Sequence, residues 1–187
     1  GTSLASGNTG IAISADGNTI VVCNYSNGLL YYSKYNGSSW SGLTQTQAGA
    51  ISSMIGIALS ADGQRGACVV RGGYCYFFTW TGSNYSGLTQ TLDSSTRNYN
   101  GFDMTPDGNT IVAVTGSVYY ATWNGSNYSA FTQTLDTNAG STGIGISHDG
   151  YKIAYSNGSN WYWAYWNGTN YTQSGGYSFR TTNAAGC

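Results

Sequence analysis

The sequence predicts an all-β fold, a four-bladed β-propeller built from four four-stranded repeats of about 45 residues. Three observations carry that prediction. An Asp-Gly pair recurs at Asp16, Asp62, Asp107 and Asp149, each time between two short apolar runs. An aromatic-flanked turn recurs as Tyr35–Trp40, Trp80–Tyr85, Trp123–Tyr128 and Trp166–Tyr171. No stretch shows the apolar period of a helix. Self-similarity at a fixed period, with turn signals every 8–12 residues or so, marks a repeat architecture of short strands.

Each repeat opens with a strand, a turn and a second strand. The first copy reads Gly10-Ile-Ala-Ile-Ser-Ala-Asp-Gly-Asn-Thr-Ile-Val-Val-Cys23, and it returns from Gly56, Gly101 and Gly143. Asp at a turn start bonds nearby backbone N–H groups, and the following Gly takes the left-handed position. A third strand rich in aromatics covers Leu29–Tyr35, Tyr74–Trp80, Val118–Trp123 and Trp161–Trp166. The aromatic turn follows, with an Asn-Gly or Thr-Gly pair suited to a tight hairpin. A polar fourth strand then carries Thr-Gln-Thr at 44–46, 89–91 and 132–134. This places the blades at about 10–55, 56–100, 101–142 and 143–176, in a single domain. The fourth copy departs: its Thr-Gln comes early, and the tail from Tyr177 to Cys187 repeats nothing. Residues 1–9 and 177–187 are candidates either to close the ring within one chain or to pair with the next chain, since an unpaired edge invites pairing.

The Asp-Gly segments resemble the "S-P-D-G" strand–turn–strand of WD-like and YVTN-type propeller repeats, most closely at Thr105-Pro-Asp-Gly108. The Asn-Gly-Ser turns with Thr-Gln-Thr are similar to FG-GAP-type repeats of surface proteins. The resemblance spans about 165 residues and implies a blade rather than an activity. Neither a Trp-Asp dipeptide nor the calcium-loop aspartates of many FG-GAP repeats occur, so calcium binding does not carry over.

Composition bounds the function. Only 7 % of the 187 residues are charged, and the net charge is −1, against about 25 % charged in typical soluble domains. Without a Lys/Arg cluster, neither a nucleic acid nor an anionic membrane is an expected partner. No apolar run approaches the roughly 20 residues that span a bilayer. The chain opens at Gly1 without Met, as a processed product would. Cys23, Cys68, Cys75 and Cys187 form no C-x-x-C pair, which argues against zinc. Two readings stand for them. They are disulfides, with Cys68 and Cys75 bridging a hairpin and Cys23 tied to Cys187, or they are small buried thiols.

No catalytic set emerges, and the chain reads as a non-enzyme. His148 holds a turn position occupied elsewhere by Ala15, Ala61 and Pro106. Asp103 is the one acid in a first strand and the one candidate for carboxylate chemistry. The four turn aspartates cap their own turns and lie a blade apart, too far to share an ion. No cofactor or metal is expected. The aromatic turns admit three readings: a hairpin brace, a sugar platform made by Trp40, Trp80, Tyr85, Trp123, Tyr128, Trp166 and Tyr171, or a glycan anchor. Asn-x-Ser/Thr occurs at Asn24, Asn36, Asn84, Asn124, Asn127, Asn157, Asn167 and Asn170, and exposed loops are where such sites are modified. The resulting expectation is a secreted or cell-surface structural protein, a glycosylated repeating subunit of a fibre or coat that self-assembles. The alternative is a lectin-like adhesion propeller.

Overall fold

The computed structural model describes residues 8–46, 49–136, 143–157 and 159–178. Sixteen strands form four antiparallel sheets, each four strands laid side by side in chain order. The first sheet holds β1 (Asn8–Ile13), β2 (Thr19–Asn24), β3 (Leu30–Lys34) and β4 (Thr44–Gln45). The second holds β5 (Met54–Leu59), β6 (Arg65–Val70), β7 (Cys75–Thr79) and β8 (Thr89–Gln90). The third holds β9 (Gly101–Met104), β10 (Thr110–Val114), β11 (Ser117–Thr122) and β12 (Thr132–Asp136). The fourth holds β13 (Gly143–Ile146), β14 (Lys152–Ser156), β15 (Asn160–Trp166) and β16 (Tyr171–Ser178). These are the expected blades. Residues 8 and 9 belong to the inner strand of blade 1, pairing with β2, and β16 extends through Tyr177 and Ser178. The remaining terminal residues, Cys187 included, lie outside the described set.

The Asp-Gly turns fold as the sequence dictates. Gly17, Gly63, Gly108 and Gly150 take φ between +66° and +72°, a region glycine enters without steric cost. Each Asp accepts the N–H two residues on, at 2.9–3.0 Å. A hydroxyl two residues upstream (Ser14, Ser60, Thr105 or Ser147) donates to the same carboxylate. That hydroxyl also accepts the N–H that opens the second strand, at 2.8–2.9 Å. Adjacent turns are linked as well: Ala15 N–H donates to the Ala61 carbonyl and Ala61 N–H to the Pro106 carbonyl. Pro106 has no N–H, so the series stops there.

The sheets stand face to face, with the first strands β1, β5, β9 and β13 as successive neighbours along the inner side. Close approach demands glycine here. A Cβ on Gly101 would sit 3.0 Å from both Gly143 Cα and Ile144 N. Three apolar seams fill the spaces between blades 1 and 2, 2 and 3, and 3 and 4. Among the described residues no comparable packing joins β13 to β1. Among the described residues the four blades therefore form an arc, with one face of blade 1 and one face of blade 4 uncovered. Ile11 and Ile13 on β1 are 68 % and 56 % exposed, whereas their counterparts Phe102 and Met104 pack into a seam. At the other end Ala154 is exposed, whereas its counterparts Val21, Ala67 and Val112 are fully buried.

The hairpin read between Cys68 and Cys75 exists, but the disulfide does not. Cys68 pairs with Tyr76 and Cys75 with Val69, so the two thiols point to opposite sheet faces and enter different seams. Burial pushes both thiols up, well above the ordinary thiol range. These two are buried thiols.

One cross-strand position shows how the repeats tolerate variation. The equivalent cross-strand pairs are Ile20 with Ser33, Gly66 with Phe78, Ile111 with Ala121 and Ile153 with Ala164. Blade 2 has moved the bulk from the second strand to the third. A Cβ on Gly66 would fall inside the Phe78 ring. Phe78→Ala alone should cost about 3–5 kcal/mol, and Gly66→Ile alone at least about 1–3 kcal/mol by overpacking. The double variant, which restores the pattern of blades 3 and 4, should recover most of that loss. Urea unfolding of the four proteins reads the coupling, and strictly additive losses would contradict this packing.

Candidate functional site: the seams between blades

The aromatic turns build the seams. Their tips carry a second set of left-handed glycines, Gly37, Gly82, Gly125 and Gly168. In three turns an Asn side chain (Asn36, Asn124 or Asn167) accepts the backbone N–H groups two and three residues on. The tip is thereby fixed and exposed, while the flanking rings turn toward the preceding blade. In the first seam Tyr32 of blade 1 stands edge-on to Trp80 and Tyr85 of blade 2, with centroids at 5.5 and 5.3 Å. Phe77 meets Trp123 and Tyr128 at 5.2 and 5.7 Å in the next seam. Tyr120 meets Trp166 and Tyr171 at 5.2 and 5.7 Å in the third. Edge-to-face pairs of this kind are worth about 0.5–1.5 kcal/mol beyond area burial.

In each of these three seams the buried turn tyrosine has a partner for its hydroxyl. Tyr85, Tyr128 and Tyr171 donate to the carbonyls of Gly63, Gly108 and Gly150, within their own Asp-Gly turns. The bond ties the two repeated motifs of a blade together. Burial raises all three phenols, Tyr171 to about 12.

Cations cap two of the seams. Lys34 Nζ lies 3.6 Å from the centroid of Trp80, and Arg65 Cζ lies 4.1 Å from that of Trp123. Arg65 also donates to the Gly108 carbonyl at 2.8 Å. The two cations come from the two members of one cross-strand pair. That pair is Thr19 with Lys34 in blade 1, Arg65 with Thr79 in blade 2, Thr110 with Thr122 in blade 3 and Lys152 with Tyr165 in blade 4. Among the described residues no cation lies over the Trp166 ring of the third seam, and a cavity of about 230 Å³ opens between Thr110, Thr122, Asp149, Gly150 and the rings of Tyr120, Trp166 and Tyr171.

The two end faces carry half-seams. Blade 4 presents Lys152, Ala154, Trp161, Trp163 and Tyr165 outward, in the register that fills a seam elsewhere. Trp161, Trp163 and Tyr177 gather there with centroids 5.1–5.6 Å apart, and Tyr177 is 61 % exposed. Blade 1 presents Ile11, Ile13, Tyr35 and Trp40, all exposed.

The structure redistributes the residues singled out in the sequence. The seven aromatics do not line an open rim. Tyr85, Tyr128 and Tyr171 are buried and Trp80, Trp123 and Trp166 are half-buried in seams, because the hairpin turns its aromatic face to the next sheet rather than to water. Of that set only Trp40 remains exposed. Asn24 is fully buried and accepts the N–H groups of Ser26 and Asn27, so it is no place for a glycan. Asn84, Asn127, Asn157 and Asn170 are half-buried, and Asn84 and Asn127 donate to the Gln45 and Gln90 carbonyls of the preceding blade. Asn36, Asn124 and Asn167 are exposed at the tips. His148 is exposed on its turn. Asp103 spends both carboxylate oxygens on backbone N–H groups, of Met104 and of Ile146 across the seam, which makes it a tie between blades 3 and 4. The seam role of the aromatic turns and the alternation of cations were not read from the sequence. Their trace was the placement of Lys34, Arg65 and Lys152 at paired positions of the aligned copies.

The fold has counterparts among solved structures. A protein of unknown function from Desulfotomaculum acetoxidans superposes with a TM-score of 0.75 at 14 % identity, covering 95 % of this chain and 58 % of that one. The β-propeller domain of Cps50 (Swd1) from Myceliophteria thermophila gives 0.69 at 7 %, covering 94 % and 60 %. A Bacteroides uniformis protein described as a candidate 6-phosphogluconolactonase gives 0.66 at 13 %, covering 90 % and 56 %. At these identities the likeness shows the propeller fold alone. The chain spans about three fifths of the length of each. No protein-family model matches the sequence, and no curated protein matches it.

Two predictions follow from the turns and their tyrosines. Tyr85→Phe should cost more than Tyr128→Phe, roughly 1–3 against 0.5–1.5 kcal/mol. The reason is that the Gly108 carbonyl keeps Arg65 as a donor, whereas Gly63 loses the one that reaches it from Tyr85. Equal losses in urea unfolding would contradict this. Separately, Asp16 and Asp149 are held below the usual carboxylate range by their Ser hydrogen bonds, and Asp107 is lowered by its Thr105 and Asn109 hydrogen bonds against the opposing effect of burial. A depressed folded-state value stabilises above the unfolded value, about 3.9, and is lost as pH falls through the folded one. The urea midpoint should therefore drop below about pH 4, and less so in the triple Asp→Asn variant. Parallel acid profiles for the two proteins would sink the assignment.

Proposed function

We propose that the chain is a non-enzymatic structural subunit that associates head to tail with further copies of itself, blade 4 of one copy docking on blade 1 of the next. The observation that supports this is the complementarity of the two end faces. Three internal seams show what such a junction contains: a third-strand aromatic edge-on to the turn aromatics of the next blade and, in two of the three, a cation over the first ring. Blade 4 supplies Trp163 in the place of Tyr32, Phe77 and Tyr120, and Lys152 in the place of Arg65. Blade 1 supplies Tyr35 and Trp40 in the place of Trp80 and Tyr85, and Ile11 and Ile13 in the place of Phe102 and Met104. Two arcs would total eight blades, within the usual range for a ring, and a rotation that does not close gives a filament. The setting we propose is extracellular, with glycans on Asn36, Asn124 and Asn167. The turn tips of blades 3 and 4 stay exposed although their seams are formed, so a glycan at Asn36 is compatible with the same junction.

A second reading draws on the aromatic shelf of Trp161, Trp163 and Tyr177: a lectin-like platform on which sugar rings stack. It competes with self-association for one face.

Sedimentation separates them. Wild-type protein should associate with rising concentration. Ile13→Asp and Ala154→Arg, both at exposed positions, should each give folded monomers. Mixed together, they should form one-to-one dimers and nothing larger, because each retains one intact face. A wild-type monomer at every concentration would overturn the proposal, and glycan binding lost on Trp163→Ala would favour the platform.

A further inference from the structure

We propose that the seam between blades 3 and 4 binds an organic cation, a guanidinium or alkylammonium group, in the slot that side chains of the chain itself fill in the other two seams. Three observations carry this, independently of how the arc assembles.

The first is the cavity and its walls. About 230 Å³ is lined by Tyr120, Trp166 and Tyr171 together with Asp149, Gly150, Thr110 and Thr122. A single water needs only about 10–15 Å³ of such volume. An aromatic wall beside a carboxylate is the chemistry that recognises an organic cation.

The second is the internal comparison. The ring of Trp166 is the counterpart of Trp80 and Trp123, and those two rings each carry a cation at 3.6 and 4.1 Å. Lys34 and Arg65 reach them from the two members of a cross-strand pair whose blade 3 members are Thr110 and Thr122. Both are too short to reach over the ring. The repeat thus builds the receptor in all three seams and omits the ligand from one.

The third is the state of the acceptors. The Gly108 carbonyl accepts two bonds, from the Tyr128 hydroxyl and from Arg65 Nη1. The corresponding Gly150 carbonyl accepts the Tyr171 hydroxyl and lines the cavity. Asp16 and Asp107 each accept a side-chain amide on Oδ2, from Asn18 and Asn109. Blade 4 has Tyr151 in that position, which brings no amide to Asp149. The cavity therefore offers a carbonyl and a carboxylate to a planar, multi-donor group, where Arg65 in the seam before it donates to the Gly108 carbonyl and to Asn109 Oδ1.

The experiment titrates the whole chain with agmatine, which carries one guanidinium and one ammonium, against urea, the neutral near-isostere of guanidinium. Binding is read by calorimetry and by the indole N–H resonance lost in Trp166→Phe. Agmatine should bind saturably and about tenfold or more tighter than urea. Thr110→Arg places the Arg65 counterpart in the slot, and should abolish agmatine binding while raising the melting temperature. Thr96→Arg, which adds the same charge at an exposed position outside the cavity lining, should bind as wild type does. Should Thr110→Arg not fold, Thr122→Lys supplies the same filling from the position of Lys34. The proposal is overturned if urea and agmatine perturb the Trp166 resonance equally, or if a folded filled variant still binds agmatine as wild type does.

Discussion

Each blade is a sheet with two apolar faces, and neither face can be left to water. That constraint orders the rest of the structure. An isolated antiparallel sheet buries one face and wets the other. Here the second strands of the inner blades are buried on both sides: in blade 3 Val112 and Val114 enter one seam and Ile111 and Ala113 the other, and all four are fully inaccessible. A blade has to sit between two neighbours. Blades 2 and 3 do so, while blades 1 and 4 each have one.

The aromatic turn is the device that satisfies the constraint between blades. A hairpin with rings at both ends of a tight Asn-Gly or Thr-Gly tip presents two aromatics on one side. In three seams those rings close around one ring of the preceding blade. The tyrosine then anchors itself through its hydroxyl to its own Asp-Gly turn, so the inter-blade wedge and the intra-blade frame share an atom. The cation over the tryptophan completes the arrangement where a Lys or Arg is available. It also explains how so weakly charged a chain spends its few bases: Lys34, Arg65 and Arg97 all lie over rings.

Much of the fold was legible in the sequence. The period, the four strands per blade and the Asp-Gly turns follow from local rules, because turn glycines and capping hydroxyls act within a few residues. What local spacing does not contain is which face of a hairpin meets another sheet. Spacing alone therefore leaves the aromatic turns equally fit for a brace, a sugar platform or a glycan anchor, and only the neighbouring sheet shows that their rings pack into seams. Cys68 and Cys75 flank a real hairpin, yet their offset of seven residues puts them on opposite faces, a parity that depends on the register of the turn between them. Asp103 was singled out correctly as unusual, but its role came only with the neighbouring blade whose Ile146 it holds. The open ends were invisible for the same reason: four repeats fill the chain whether or not the last meets the first.

The central claim is that the exposed faces of blades 1 and 4 are two halves of one seam. Hydroxyl-radical footprinting across a concentration series tests it most directly, because it reads side-chain exposure residue by residue. The account predicts that Ile11, Ile13 and Trp40 become protected together with Trp161, Trp163 and Tyr177, at one shared midpoint. Protection of one face without the other, or of neither at any concentration, would contradict it.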